Sequence, residues 1–167
     1  MIIGLSIHSF TIVHVAITLV AIVSGLVVLV GMLGAHELPA LTALFLITTV
    51  LTSVTGFMFP LSGFTPAVAT GVISIVALAI ALVALYVKRL SGSWRWIYVT
   101  SALAALYFNV FVLIVQSFEK LQALHALAPT QTELPFLVAQ GVTLIAFLVL
   151  GTMAVMRFRP APQARMA

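Results

Sequence analysis

The chain has 167 residues and lacks cysteine altogether; it has three acidic residues, and all charged residues together make up 6%. Each shortage excludes something. Without cysteine there is no disulfide framework, no thiolate metal centre and no thiol nucleophile, so any metal would have to be held by histidine, methionine or glutamate. An average soluble domain carries roughly 25% charged residues, and a chain with so few has too little polar surface to dissolve as a globule. The acidic residues, Glu37, Glu119 and Glu133, all lie outside the deep parts of the apolar runs. That removes the buried carboxylate which a proton-coupled membrane carrier places in its path. A Ser53–His14 pair would lack an orienting carboxylate, and no nucleophile-elbow pattern is present, so no catalytic residue is assigned. There is also no basic run interleaved with aromatics, which excludes a nucleic-acid partner.

What the chain does have is hydrocarbon. Hydrophobic residues make up 63%, the mean hydropathy is +1.32, and several apolar runs reach the roughly 20 residues needed to cross about 30 Å of bilayer core. The expected fold is all-α: a polytopic integral membrane protein built as an antiparallel bundle of five transmembrane helices. The spans fall at about 9–33, 38–58, 66–88, 94–118 and 134–157, one domain over 1–157, followed by a tail, 158–167. Short links make neighbouring helices antiparallel, and the longest link, EKLQALHALAPTQTEL, has room for a short helix. The first thirty residues read as a retained span, since they lack a basic leader and an A-x-A-like cleavage site. Neither Ile2 nor the closing RFRPAPQARMA offers a lipidation signal.

The charge, +4 formally, carries topological information. Lys88, Arg89 and Arg95 flank the third link and Arg157, Arg159 and Arg165 follow the fifth span, with Lys120 alone at the other end. The positive-inside bias predicts a cytoplasmic C-terminus, an N-terminus outside and residence in the plasma membrane. Trp94, Trp96 and Tyr98 are expected in the inner aromatic belt. Glu37 is expected beside the N-terminus of the second helix, with Pro39 in its first turn. The small residues Ala67, Thr70, Gly71, Ser74, Ala77, Ala81 and Ala84 recur at steps of three and four, which reads as a close-packing stripe.

Depth, at about 1.5 Å per residue, sorts the polar side chains. His14, Thr52, Ser53, Asn109, Gln116 and Gln140 come out in the outer half of four helices. Asn109 and Gln116, seven apart, should share a face. Such a layer reads in two ways: interhelical hydrogen bonds that hold the bundle, or an outward-facing polar pocket lined by these six residues that binds a small molecule or ion. TTVLTSVTGFMFPLSGFTP, with seven hydroxyl residues, divides accordingly. Thr48 to Thr55 belongs to the wall, and Gly56 to Pro66 to the outer turn.

A redox alternative would route quinone, haem b or copper through His14, with Phe108, Phe111 and Phe147 forming an apolar slot. His8, Met58 and His125 are the candidate supporting metal ligands, and no spacing motif links them. A further alternative is a structural or assembly subunit of a larger membrane complex, or a homo-oligomer, with the lipid bilayer as the common partner.

Overall fold

The computed structural model describes residues 2–60 and 66–159. The helices are α1 (Ile7–Leu33), α2 (Pro39–Gly56), α3 (Pro66–Leu82, continued by a π-helical turn Val83–Val87), α4 (Trp94–Lys120), α5 (Gln122–Leu127) and α6 (Leu134–Arg157). Five of them, all but α5, are long and apolar enough to cross a membrane. The chain is a small multi-pass membrane protein, and the expected all-α bundle is what it forms. Leu61–Thr65, the middle of the expected outer turn, and the tail from 160 onward with Arg165 lie outside the described residues.

Local chemistry sets the helix ends. Ser6 caps α1 by accepting a hydrogen bond from the Ser9 amide at 3.1 Å, which satisfies a donor that the first turn leaves orphaned. At the other end of α1 the amide of His36 donates to the Gly31 carbonyl at 2.9 Å, with Ala35 in the left-handed region at φ 58°. This closure turns the chain within five residues and leaves Pro39 to open α2, where a missing amide costs nothing. Glu37 makes no capping bond; the α2 cap is Leu38, without a side-chain hydrogen bond. Beyond Leu82 the amide of Lys88 donates to Val83 O at 2.9 Å and that of Leu90 to Ala84 O at 3.0 Å, which ends the third span in a widened turn.

Helix α4 is the hub, packing on α3, α6, α1 and α2, while α1 and α2 form the most extensive pair. The contiguous core lies toward the end that carries Lys88, Arg89 and Arg157, here termed the basic half. It includes Val28, Leu29, Met32, Phe45, Leu46, Leu78, Tyr98, Ala102 and Leu106. Lipid tails are as apolar as leucine, so close approach rather than hydrophobicity must hold helices together. The described part of the small-residue stripe does this: Ser74, Ala77, Ala81 and Ala84 are buried. Tyr98 departs from expectation, being 2% exposed and tilted against Phe158 at 6.2 Å between ring centroids. It is a core residue because the α6 terminus covers it, while Trp96 keeps the exposed position.

Candidate functional site

At the opposite end, the polar half, the α1–α2 seam is joined by hydroxyls and an imidazole. His14 Nδ1 lies 2.7 Å from Thr55 Oγ1, and one turn deeper Thr18 Oγ1 lies 3.3 Å from Thr52 Oγ1. Thr18 also donates to the His14 carbonyl at 2.8 Å. Another turn down, Asn109 Nδ2 of α4 reaches Thr49 Oγ1 at 3.4 Å. Thr49 to Thr55 covers about 9 Å of helical rise, so the contacts of His14, Thr52 and Asn109 are strung along the α2 seam over that distance.

The Thr55 hydroxyl has one proton and three acceptors within reach: the Leu51 carbonyl at 2.7 Å, the Thr52 carbonyl at 3.2 Å and His14 Nδ1 at 2.7 Å. With the proton on a carbonyl of its own helix, as is common for hydroxyls in membrane helices, the Thr55 oxygen accepts from His14 and Nδ1 is the protonated nitrogen. In the neutral ring the lone pair then sits on Nε2, to which no described protein group is hydrogen-bonded. Phe59 packs edge-on against the ring at 5.3 Å and against Phe10 at 5.0 Å. Gly56 leaves space beside Cε1, where an added Cβ would sit at an ordinary 3.7 Å. The imidazole is held in plane and half-buried, with Nε2 unpartnered among the described residues.

The other candidates separate into groups. Thr52 and Ser53 are buried in α2 and Asn109 in α4. Gln140 of α6 is 9% exposed and donates through Nε2 to the Phe111 carbonyl at 3.2 Å, while its Oε1 is buried without a partner. Phe111 itself belongs to a ring cluster on Tyr107 that also holds Phe108 and Phe147, with Tyr107 edge-on to Phe147 at 5.6 Å. Gln116 stands apart: it is exposed and donates to Glu119 at 3.3 Å along its own helix. His8, Met58 and His125 are exposed. Among the described residues no three His, Cys, Asp or Glu side chains gather where a metal ion could be held.

Three participants were not singled out from sequence: Thr49, Phe59 and Gln131, whose side-chain amide donates to the Val115 carbonyl at 3.1 Å. Thr49 could have been found as the hydroxyl one turn below Ser53; the other two depend on loop paths. Most remaining hydroxyls, including Thr48, Ser24, Ser101 and Thr143, bond back to carbonyls of their own helix, which hides their polarity. Comparisons of the chain with known families, with curated proteins and with solved structures return no match. The functional reading rests on these residues alone.

Proposed function

We propose that the polar half is an outward-facing site for a small molecule or ion, with His14 as the group that meets the ligand. The observation that carries this reading is the imidazole held through Nδ1 by Thr55, with Nε2 unpartnered among the described residues and, where Nδ1 carries the proton, a lone-pair donor. A ring fixed by one nitrogen and free at the other is the arrangement used to accept a proton, a ligand N–H or O–H, or a cation. Thr52, Ser53 and Asn109 supply polar wall beneath it, Gln140 extends the layer across α4, and Gln116 belongs to the rim. The outward assignment is supported by Lys88, Arg89, Arg95, Arg157 and Arg159 at the opposite end, which the positive-inside rule places in the cytoplasm.

The test is a thermal-shift panel of metal cations, protonated amines and neutral hydroxylated metabolites on protein in nanodiscs. A ligand that raises the Tm should lose its effect in His14→Ala, while the unliganded variant stays within about 1 kcal/mol of the parent. A shift undiminished in both His14→Ala and Asn109→Ala would move the site elsewhere.

A redox reading draws on a different observation, the buried Gln140 Oε1 without a partner among the described residues, on a side chain whose amide meets the carbonyl of Phe111, a member of the Tyr107 ring cluster. An acceptor at the edge of an aromatic slot suits a quinol hydroxyl. A preparation without visible absorption, metal or extractable quinone would remove this reading, along with haem b or copper at His14. An assembly role draws on α6, of which 11% of the most apolar stretch is buried within the chain; cross-linking in native membranes that returns only monomer would remove it.

A further inference from the structure

The seam between α3 and α4 carries a groove of about 490 Å³, with Ile73, Val76 and Ile80 on one wall and Trp96, Ile97 and Thr100 on the other. Its surface is hydrocarbon in practice. Thr100 Oγ1 donates to the Trp96 carbonyl at 2.9 Å, and the neighbouring Ser101 Oγ donates to Ile97 O at 2.7 Å. Both hydroxyls are thereby spent on their own helix. From Ile73 to Ile80 the groove follows α3 for about 10 Å, a length that suits part of an acyl chain lying along the seam.

The link that joins these same two helices lies at the basic end of the groove. It brings Lys88 and Arg89, with Lys88 Nζ 5.4 Å over the Trp94 ring. Among the described residues neither cation has a carboxylate within ion-pair distance: the ion pair found there, Lys120–Glu119, is at the other end of α4. Arg95 is already committed, since its Nη1 donates to the Val155 carbonyl at 2.7 Å and to that of Phe158. An apolar slot thus ends at two uncompensated positive charges at the membrane surface. A partner helix would fill the slot but leave those charges unmet. A phospholipid with a net negative headgroup answers both.

We propose that this seam binds an anionic glycerophospholipid, one acyl chain lying in the groove and the headgroup phosphate facing Lys88 and Arg89. The chain has two tryptophans, so Trp94→Phe leaves Trp96, in the groove wall, as the sole fluorophore. The experiment reconstitutes that variant in phosphatidylcholine nanodiscs doped with either chain-brominated phosphatidylglycerol or chain-brominated phosphatidylcholine at matched mole fractions. Brominated phosphatidylglycerol should quench Trp96 at a mole fraction lower by on the order of tenfold. Adding Lys88→Gln and Arg89→Gln should bring the two curves together, whereas Arg157→Gln with Arg159→Gln should leave them apart. Thr100→Phe, which fills the groove and keeps the cations, should also erase the preference. Equal quenching by both lipids overturns the proposal, as does a preference that survives loss of Lys88 and Arg89. Retention of phosphatidylglycerol over phosphatidylcholine by the unsubstituted protein in native mass spectrometry should agree; equal retention would count against the site.

Discussion

The two halves of this bundle face the same lipid and are held together differently. In the basic half helices approach until side chains interlock. A Cβ added to Gly25 would lie 2.6 Å from Leu106 Cδ1 and 2.8 Å from Phe45 Cδ2, distances at which something must move. In the polar half the packing is uneven: Gly71 of α3 is closed by the Phe57 ring, 2.9 Å from an added Cβ, but along the α1–α2 seam Gly56 would accept a Cβ at 3.7 Å from His14, and hydroxyl and amide bonds of 2.7 to 3.4 Å join the helices. Packing fixes one half, whereas sparse hydrogen bonds leave the other with polar groups unpartnered among the described residues, such as the buried Oε1 of Gln140.

The largest expected effect breaks the packed half. Gly25→Val should destabilise by about 2–3 kcal/mol, since both Leu106 and the Phe45 ring must leave their positions. Gly56→Ala should be neutral or slightly stabilising, as helix propensity favours alanine. Denaturant unfolding in detergent measures both, and equal losses would erase the contrast. Next comes Arg95→Ala. Its guanidinium satisfies two carbonyls at the end of α6, where the helix dipole also favours a cation. Loss of a charged hydrogen-bonding partner should cost about 2 kcal/mol. Arg95→Lys should recover part of it, and full recovery would mean that charge alone matters.

The same contrast decides what could be read in the residues beforehand. Spans were legible because Gly34, Pro39, Pro66 and Pro135 punctuate apolar runs of crossing length, and α1, expected to start at residue 9, starts at Ile7. Depth was legible too, since helical rise is fixed: His14, Thr52 and Asn109 do lie within about 9 Å of each other along the axis. Facing was less so. Asn109 and Gln116 are close to one phase, yet Asn109 is buried and Gln116 exposed. Thr55, near the end of α2, sits beside His14, so α2 gives out before it can cover the polar end of α4. Arg95 on Phe158 and Asn109 on Thr49 bridge sixty or more positions of chain; no local pattern encodes such a meeting.

A smaller effect should sharpen the functional side of the comparison. Asn109→Ala removes a bond of 3.4 Å to Thr49, and His14→Ala removes its bond to Thr55; each should cost about 0.6 kcal/mol, the average for interhelical bonds in a membrane. A double-mutant cycle of Asn109→Ala with Thr49→Val reads that coupling directly. A coupling above about 2 kcal/mol would exceed the range for such bonds and make the layer a structural clamp instead of a site with spare valences.

The smallest effect concerns acid, and it should be confined to the polar end. Glu133 precedes α6 and turns its carboxylate back on its own link. Thr130 Oγ1 donates to it at 2.8 Å, the Thr130 amide at 3.2 Å and the Thr132 amide at 3.1 Å. Desolvation alone would raise its pKa, but these hydrogen bonds and that of its own amide outweigh this and hold it below the ordinary 4.5. A carboxylate with a lowered folded pKa contributes stability that is present above 4.5 and is lost as pH falls through the folded value. Glu37 at the basic end makes no capping bond of this kind. The difference in Tm between the parent and Glu133→Gln should therefore be flat above about pH 5.5 and shrink below about pH 4.5. Glu37 and Glu119 remain in both proteins, so their titration cancels in that difference. Parallel Tm profiles down to about pH 3 would show that the Thr130–Glu133 turn contributes no acid-sensitive stability, and the two ends would then differ in packing and hydroxyl content but not in response to pH.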